Sequence, residues 1–132
     1  MSQENVNLIR SGYEAFKAGD ILAVLNLLHP DLEIRQSKEL PWGGEYHGQQ
    51  GAATFFSRLK QHVDSRMDPD TFIDAGDCVV AVGRSRGRVN ATGREFDVAA
   101  AHVWTVRDGK AARFEAYIDT PAMLRLLGPE SA

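Results

Sequence analysis

Two alternating runs of apolar and polar residues meet at Asp108-Gly109, within Arg94 to Thr120, and the rest of the chain can be read outward from them. An Asp-Gly pair suits a two-residue type I′ turn, whose central residues both take positive φ, so the stretch predicts a β-hairpin. Pairing Arg107 with Lys110 sets Trp104 opposite Arg113, His102 opposite Glu115, Ala100 opposite Tyr117 and Val98 opposite Asp119. Side chains directly opposite share a face. One face is therefore expected to collect His102, Glu115, Tyr117 and Asp119 among Val98, Ala100, Trp104 and Val106. The other carries Ala99, Ala101, Val103, Ala112, Phe114, Ala116 and Ile118 and is apolar enough to be buried. Polar groups set among apolar neighbours suit the lining of a small-molecule pocket; the competing reading is a one-sided sheet with a solvated face.

Ahead of the hairpin, Val6, Ile9, Tyr13 and Phe16 recur at spacings of three and four. They predict a helix over residues 3–18, with Ser2 to cap it, Gly19 to end it and Tyr13 on its inner stripe. Asp20 can cap a second, short helix that Pro30 stops. Leu32 to Gln36 alternates as a strand. The stretch Ser37 to Gly48 holds Pro41, Gly43, Gly44 and Gly48 and is expected to be irregular. Its Trp42, Tyr46 and His47 either form a lid over a ligand or pin the loop to the core. Gln49 to Val63 reads as a third helix, inward through Ala52, Phe55, Phe56, Leu59 and Val63. Met67 to Asp74 and Cys78 to Arg88 read as strands. The next turn places Arg88 against Glu95 and Arg86 against Asp97, a register that opposite charges favour. Thr120-Pro121 opens a closing helix that runs to Gly128, and Pro129 to Ala132 are expected to fray. Helices gathered on one face of an antiparallel sheet make the class α+β, in a single domain over 1–132 with its core at about 3–128.

Composition narrows the function classes. Fifteen basic against eighteen acidic residues give a net charge of −3, which offers no field to attract nucleic acid or an anionic membrane. The polar first residues lead us to expect no export signal, no apolar run reaches membrane length, and the one cysteine, Cys78, sits in an apolar run; a cytoplasmic location is expected. The four histidines show no paired spacing of the kind a zinc site uses, and no metal or cofactor is expected. Trp104 facing Arg113 predicts a cation–π pair. Glu115 opposite His102 orients the imidazole. The arginines 84, 86, 88 and 94 read as a salt-bridged edge.

The helix ending AFKAGD before ILAVLNLLHPDLEI, the Glu45-Tyr46-His47-Gly48 turn, Thr92-Gly93-Arg94, the run from His102 to Lys110, and Tyr117-Ile118-Asp119 follow one another in an order that resembles the SnoaL-like proteins. These belong to the nuclear transport factor two-like (ketosteroid isomerase-like) superfamily. The resemblance covers about residues 3–128. It implies a curved sheet wrapped as a cone around helices, with a pocket inside, and often a homodimer. It also implies that Asp119, at the end of the last strand, holds the position of the acid/base aspartate of polyketide cyclases, and that His102 is similar to their assisting histidine. The isomerase pattern does not carry over: its catalytic tyrosine falls on Gly12 and its basic aspartate on Gln36.

Two functions follow as expectations. One is a cofactor-independent enzyme performing acid/base chemistry next to a carbonyl, as a polyketide cyclase or isomerase does, on a small hydrophobic or cyclic substrate. Asp119 and His102 would be catalytic, and Tyr117, Tyr13, Trp42 and Glu115 would contact the substrate. A carboxylate in that role needs a partly desolvated site that raises its pKa. The other is a non-catalytic domain that binds a small ligand or dimerises through the small apolar face of Ala99, Ala101, Ala112 and Ala116.

Overall fold

The structure, a computed structural model, describes residues 2–128. The tail 129–132 and the capping side chain of Ser2 lie outside the described residues. In chain order the elements are α1 (Ser2–Lys17), α2 (Ile21–Leu27), β1 (Leu28–Gln36), β2 (Gly44–His47), α3 (Gly48–His62), β3 (Val63–Ala75), β4 (Cys78–Val89), β5 (Glu95–Arg107), β6 (Lys110–Ile118) and α4 (Thr120–Leu127). The strands form one open sheet in the order β2-β1-β6-β5-β4-β3. The α+β class holds with one difference: β1 lies parallel to β6, so the sheet is mixed. Asp20 caps α2 as its position predicts, accepting from the Ala23 amide at 3.2 Å. The helix ends at Leu27, before Pro30 can stop it: the chain turns straight into β1 at Leu28, and Pro30 stands within that strand.

The sheet curls around α3, which touches β1 and β2 at one edge and β3 at the other. Two glycines of β4 permit the close crossing of β3. A Cβ on Gly83 would lie 2.1 Å from the Asp68 carbonyl oxygen, and one on Gly87 would lie 2.1 Å from that of Asp64. No side chain fits there. A bulge between Pro69 and Thr71 adds to the bend, in the edge strand where a proline costs no ladder bond. The expected charge register is present, with Arg88–Glu95 at 3.1 Å and Arg86–Asp97 at 3.2 Å.

The central hairpin departs from the expected register. Its turn is as expected, with Asp108 and Gly109 both at positive φ and Arg107 paired with Lys110. Beyond Val106↔Ala111, however, Thr105 pairs with Arg113, which leaves Ala112 as the extra residue of a bulge. Ala111 and Ala112 are buried in succession, so the in–out alternation of the strand is broken at the bulge. Every later partner moves by one: Trp104 lies opposite Phe114, His102 opposite Ala116, and Ala100 opposite Ile118. A one-residue shift exchanges faces. Phe114, Ala116 and Ile118 therefore join His102 on the inner face, while Arg113, Glu115 and Tyr117 point outward with Ala101 and Val103. Glu115 does not orient His102. The Trp104–Arg113 cation–π pair is absent too: Arg113 lies 3.1 Å from Glu115 on the outer face, and Trp104 packs on Phe114 with ring centroids 4.3 Å apart.

Candidate functional site

The curl of the sheet leaves a cavity of about 680 Å³ between its inner face and helices α1, α2 and α3. Small-molecule pockets have this size. Its walls are mainly apolar, with Phe16, Phe55, Phe56, Leu59, Phe114 and Ile118 among them. Tyr13 enters from α1 because the helical stripe of Val6, Ile9 and Tyr13 faces the sheet. His102 and Trp104 enter from β5 because residues two apart on a strand share a face.

These three side chains form a connected polar group. The Trp104 indole Nε1–H donates to the Tyr13 hydroxyl oxygen at 2.8 Å, and that oxygen lies 2.6 Å from His102 Nδ1. The Tyr13 and His102 rings stack at 5.8 Å, and Phe114 meets the imidazole edge-on at 4.8 Å. Burial pushes the His102 pKa down to about 4, so the ring is neutral at pH 7. Burial likewise raises the Tyr13 phenol, outweighing the Trp104 hydrogen bond that pulls it the other way. A neutral imidazole in an apolar wall can donate or accept one hydrogen bond with a ligand. Charged groups stand at the rim, including Arg10, Glu14 and Lys17 of α1 and Asp68 of β3. Burial raises the Asp68 carboxyl, but hydrogen bonds and charge from Arg86 and Arg66 hold it below the usual range.

The residues singled out in the sequence are divided by the fold. His102, Tyr13 and Trp42 line the cavity. Trp42 is buried, donates from Nε1 to Gln36 Oε1 at 3.0 Å and offers its carbonyl to the Tyr46 hydroxyl at 2.8 Å, so its loop is pinned to the core. Tyr117 and Glu115 sit on the outer face, where the half-exposed Tyr117 hydroxyl donates to Glu115 Oε2 at 2.6 Å; that bond, then burial, raises the phenol pKa. Asp119 is exposed and lies outside the cavity wall. Its Oδ1 accepts from the Ala122 amide at 3.1 Å as the N-cap of α4. Sequence reasoning missed Trp104 as a hydrogen-bond donor within the site, although its place two residues from His102 on the same strand was the available signal.

An open curved sheet closed by helices over an apolar cavity defines the nuclear transport factor two-like class of α+β folds. Within that class, the model of the SnoaL-like domain matches residues 9–114, and the chain belongs to the SnoaL-like family. No curated protein matches it. Among solved structures it resembles a nuclear transport factor two-like protein of unknown function from Burkholderia pseudomallei, at 32% identity and TM-score 0.88, covering 96% of this chain and 98% of the other. It also resembles TerC, co-crystallised with polyporic acid, at 31% identity and TM-score 0.86, covering 94% and 98%. A candidate polyketide cyclase from Xanthomonas campestris shares the fold at 22% identity and TM-score 0.79, covering 96% and 98%.

Proposed function

We propose that this SnoaL-like chain binds a small hydrophobic, cyclic carbonyl compound in its cavity and acts on it by acid/base chemistry next to the carbonyl, without a cofactor. The observation that carries this reading is the Trp104–Tyr13–His102 group, a polar cluster with neutral imidazole in an otherwise apolar wall. A hydrogen bond from His102 to the carbonyl oxygen stabilises the charge that develops there as the neighbouring carbon gives its proton to a solvent base, water or buffer, and the apolar walls strengthen that hydrogen bond. The co-crystal of TerC with polyporic acid supports a small organic ligand in a relative of similar sequence. In this reading His102 carries the chemistry, Tyr13 and Trp42 contact or border the ligand, and Asp119 serves as a helix cap.

The test is a titration of labelled protein with fluorenone followed by NMR. Shifts concentrated at Tyr13, Phe55, His102 and Phe114 are expected; shifts confined to the outer face, or none at all, contradict the reading. A second reading, binding without turnover, is favoured by one fact: the carboxylates at the cavity, Glu14 and Asp68, stand at its rim, and Asp119 is elsewhere.

The outer face of the sheet supports a homodimer. Ile73, Val82 and Tyr117 are exposed there at 47%, 38% and 54%, beside Ala99, Ala101 and Val103. Arg84, Arg86 and Asp97 fringe the same face, so charges of both signs are available to a second copy of the chain.

A further inference from the structure

We infer that Trp104 is a positioning residue that fixes the tautomer of His102, so that Nε2 carries the proton and donates it in a hydrogen bond to a ligand oxygen. This rests on the reading of the cavity as the binding site. It names the ligand group the site recognises: an acceptor-only oxygen, as in a ketone or an enolate.

One chain of atoms links the three side chains. The indole Nε1–H can only donate, so at 2.8 Å the Tyr13 oxygen is its acceptor. The Tyr13 hydroxyl has one proton, and His102 Nδ1 lies 2.6 Å away. Of the two possible senses for that contact, phenol to imidazole nitrogen pairs the stronger acid with the stronger base. Trp104 reinforces this sense, because donation into the phenol oxygen polarises its O–H, and linked hydrogen bonds strengthen one another. In the opposite sense the phenol oxygen accepts twice, and its own proton is left without a partner among the described residues. With Nδ1 occupied as an acceptor, the proton of the neutral ring belongs on Nε2. That atom has no partner among the described residues, and it is not one of the closed-off polar atoms. The ring lines the cavity, so Nε2–H is the donor presented to a ligand.

The test begins with ligand-free protein carrying nitrogen-labelled histidine, examined by NMR at pH 7. The inference requires His102 Nδ1 to resonate as an unprotonated nitrogen and Nε2 as a protonated one; a protonated Nδ1 overturns it. Trp104→Phe is expected to shift the balance toward the Nδ1–H form, and Tyr13→Phe to populate both forms. A merely structural Trp104 would leave the tautomer untouched. In the folded wild-type protein, fluorenone is expected to bind about tenfold more tightly than fluorene, which has the same shape without the oxygen. In Tyr13→Phe the ratio should fall about twofold, in step with the smaller Nε2–H population, and equal binding of the two by wild type also overturns the inference. If neither compound binds, the cavity reading has failed, while the tautomer in free protein still decides the relay.

Discussion

The Tyr13 hydroxyl on α1 and His102 Nδ1 on β5 are 2.6 Å apart, across a sequence separation of 89 residues. This contact ties the first helix to the middle of the sheet and gives the cavity its polar centre. Removing the hydroxyl in Tyr13→Phe keeps the ring and its packing but strands two partners, Trp104 Nε1–H and His102 Nδ1. The expected cost is about 1–3 kcal/mol, measured as a lower urea midpoint with an unchanged slope. An unchanged midpoint would show that the contact carries no net stabilisation.

Stability should fall on mild acidification because of His102. Its pKa is about 4 in the folded chain against an ordinary 6.5. Between these values the unfolded chain binds more protons, so stability rises with pH. The contribution is complete above about 6.5 and is lost as pH drops toward 4. A shift of this size corresponds to about 3 kcal/mol. Asp68 and Asp97, both held below the ordinary carboxylate value, act in a separate and more acidic window. Urea melts between pH 7 and 4 should show the slope in wild type and a flatter profile in His102→Gln.

Asp119→Ala is expected to cost about 1 kcal/mol by removing the cap of α4, whereas Asp119→Asn should cost little, since asparagine caps equally well. Thermal melts of the two variants separate the capping contribution from the charge. A large loss in the asparagine variant would mean that the charge itself stabilises the fold.

Gly83→Ala should be among the most destabilising single substitutions, because the added carbon meets backbone at 2.1 Å and no side-chain movement can relieve the contact. Expression and circular dichroism would reveal it. A stable Gly83→Ala protein would mean that β3 can move away from β4 at little cost.

Ala101→Arg places a charge in the middle of the outer apolar face, opposite Tyr117. In sedimentation, wild type should behave as a dimer and this variant as a monomer. A monomeric wild type would remove the dimer from the account.

Much of the fold was legible in the sequence because it rests on local rules. The stripe of α1, the Asp20 cap, the Asp-Gly turn and the charge-matched pairing of β4 with β5 all follow from neighbours close along the chain. The division of the site was not legible, for one physical reason. A bulge at Ala112 shifts the register of β6 by a residue, and nothing in an Ala-Ala pair announces a bulge. That shift moved Glu115 and Tyr117 to the outside and brought Phe114 and Ala116 in. Tyr13 and His102, expected separately as pocket residues, both reach the cavity because neither depends on the register of β6: one is set by helical spacing and the other by alternation within β5. The parallel contact of β1 with β6 was equally hidden, since it joins segments far apart in the chain.

The most direct test of the central claim is exchange of the protons next to the carbonyl of β-tetralone in deuterium oxide, followed by NMR with wild type, His102→Phe and Asp119→Asn. The account predicts that wild type and Asp119→Asn accelerate exchange to a similar extent and that His102→Phe does not. Acceleration that survives in His102→Phe and disappears in Asp119→Asn would contradict it and return the chemistry to the aspartate at the end of β6.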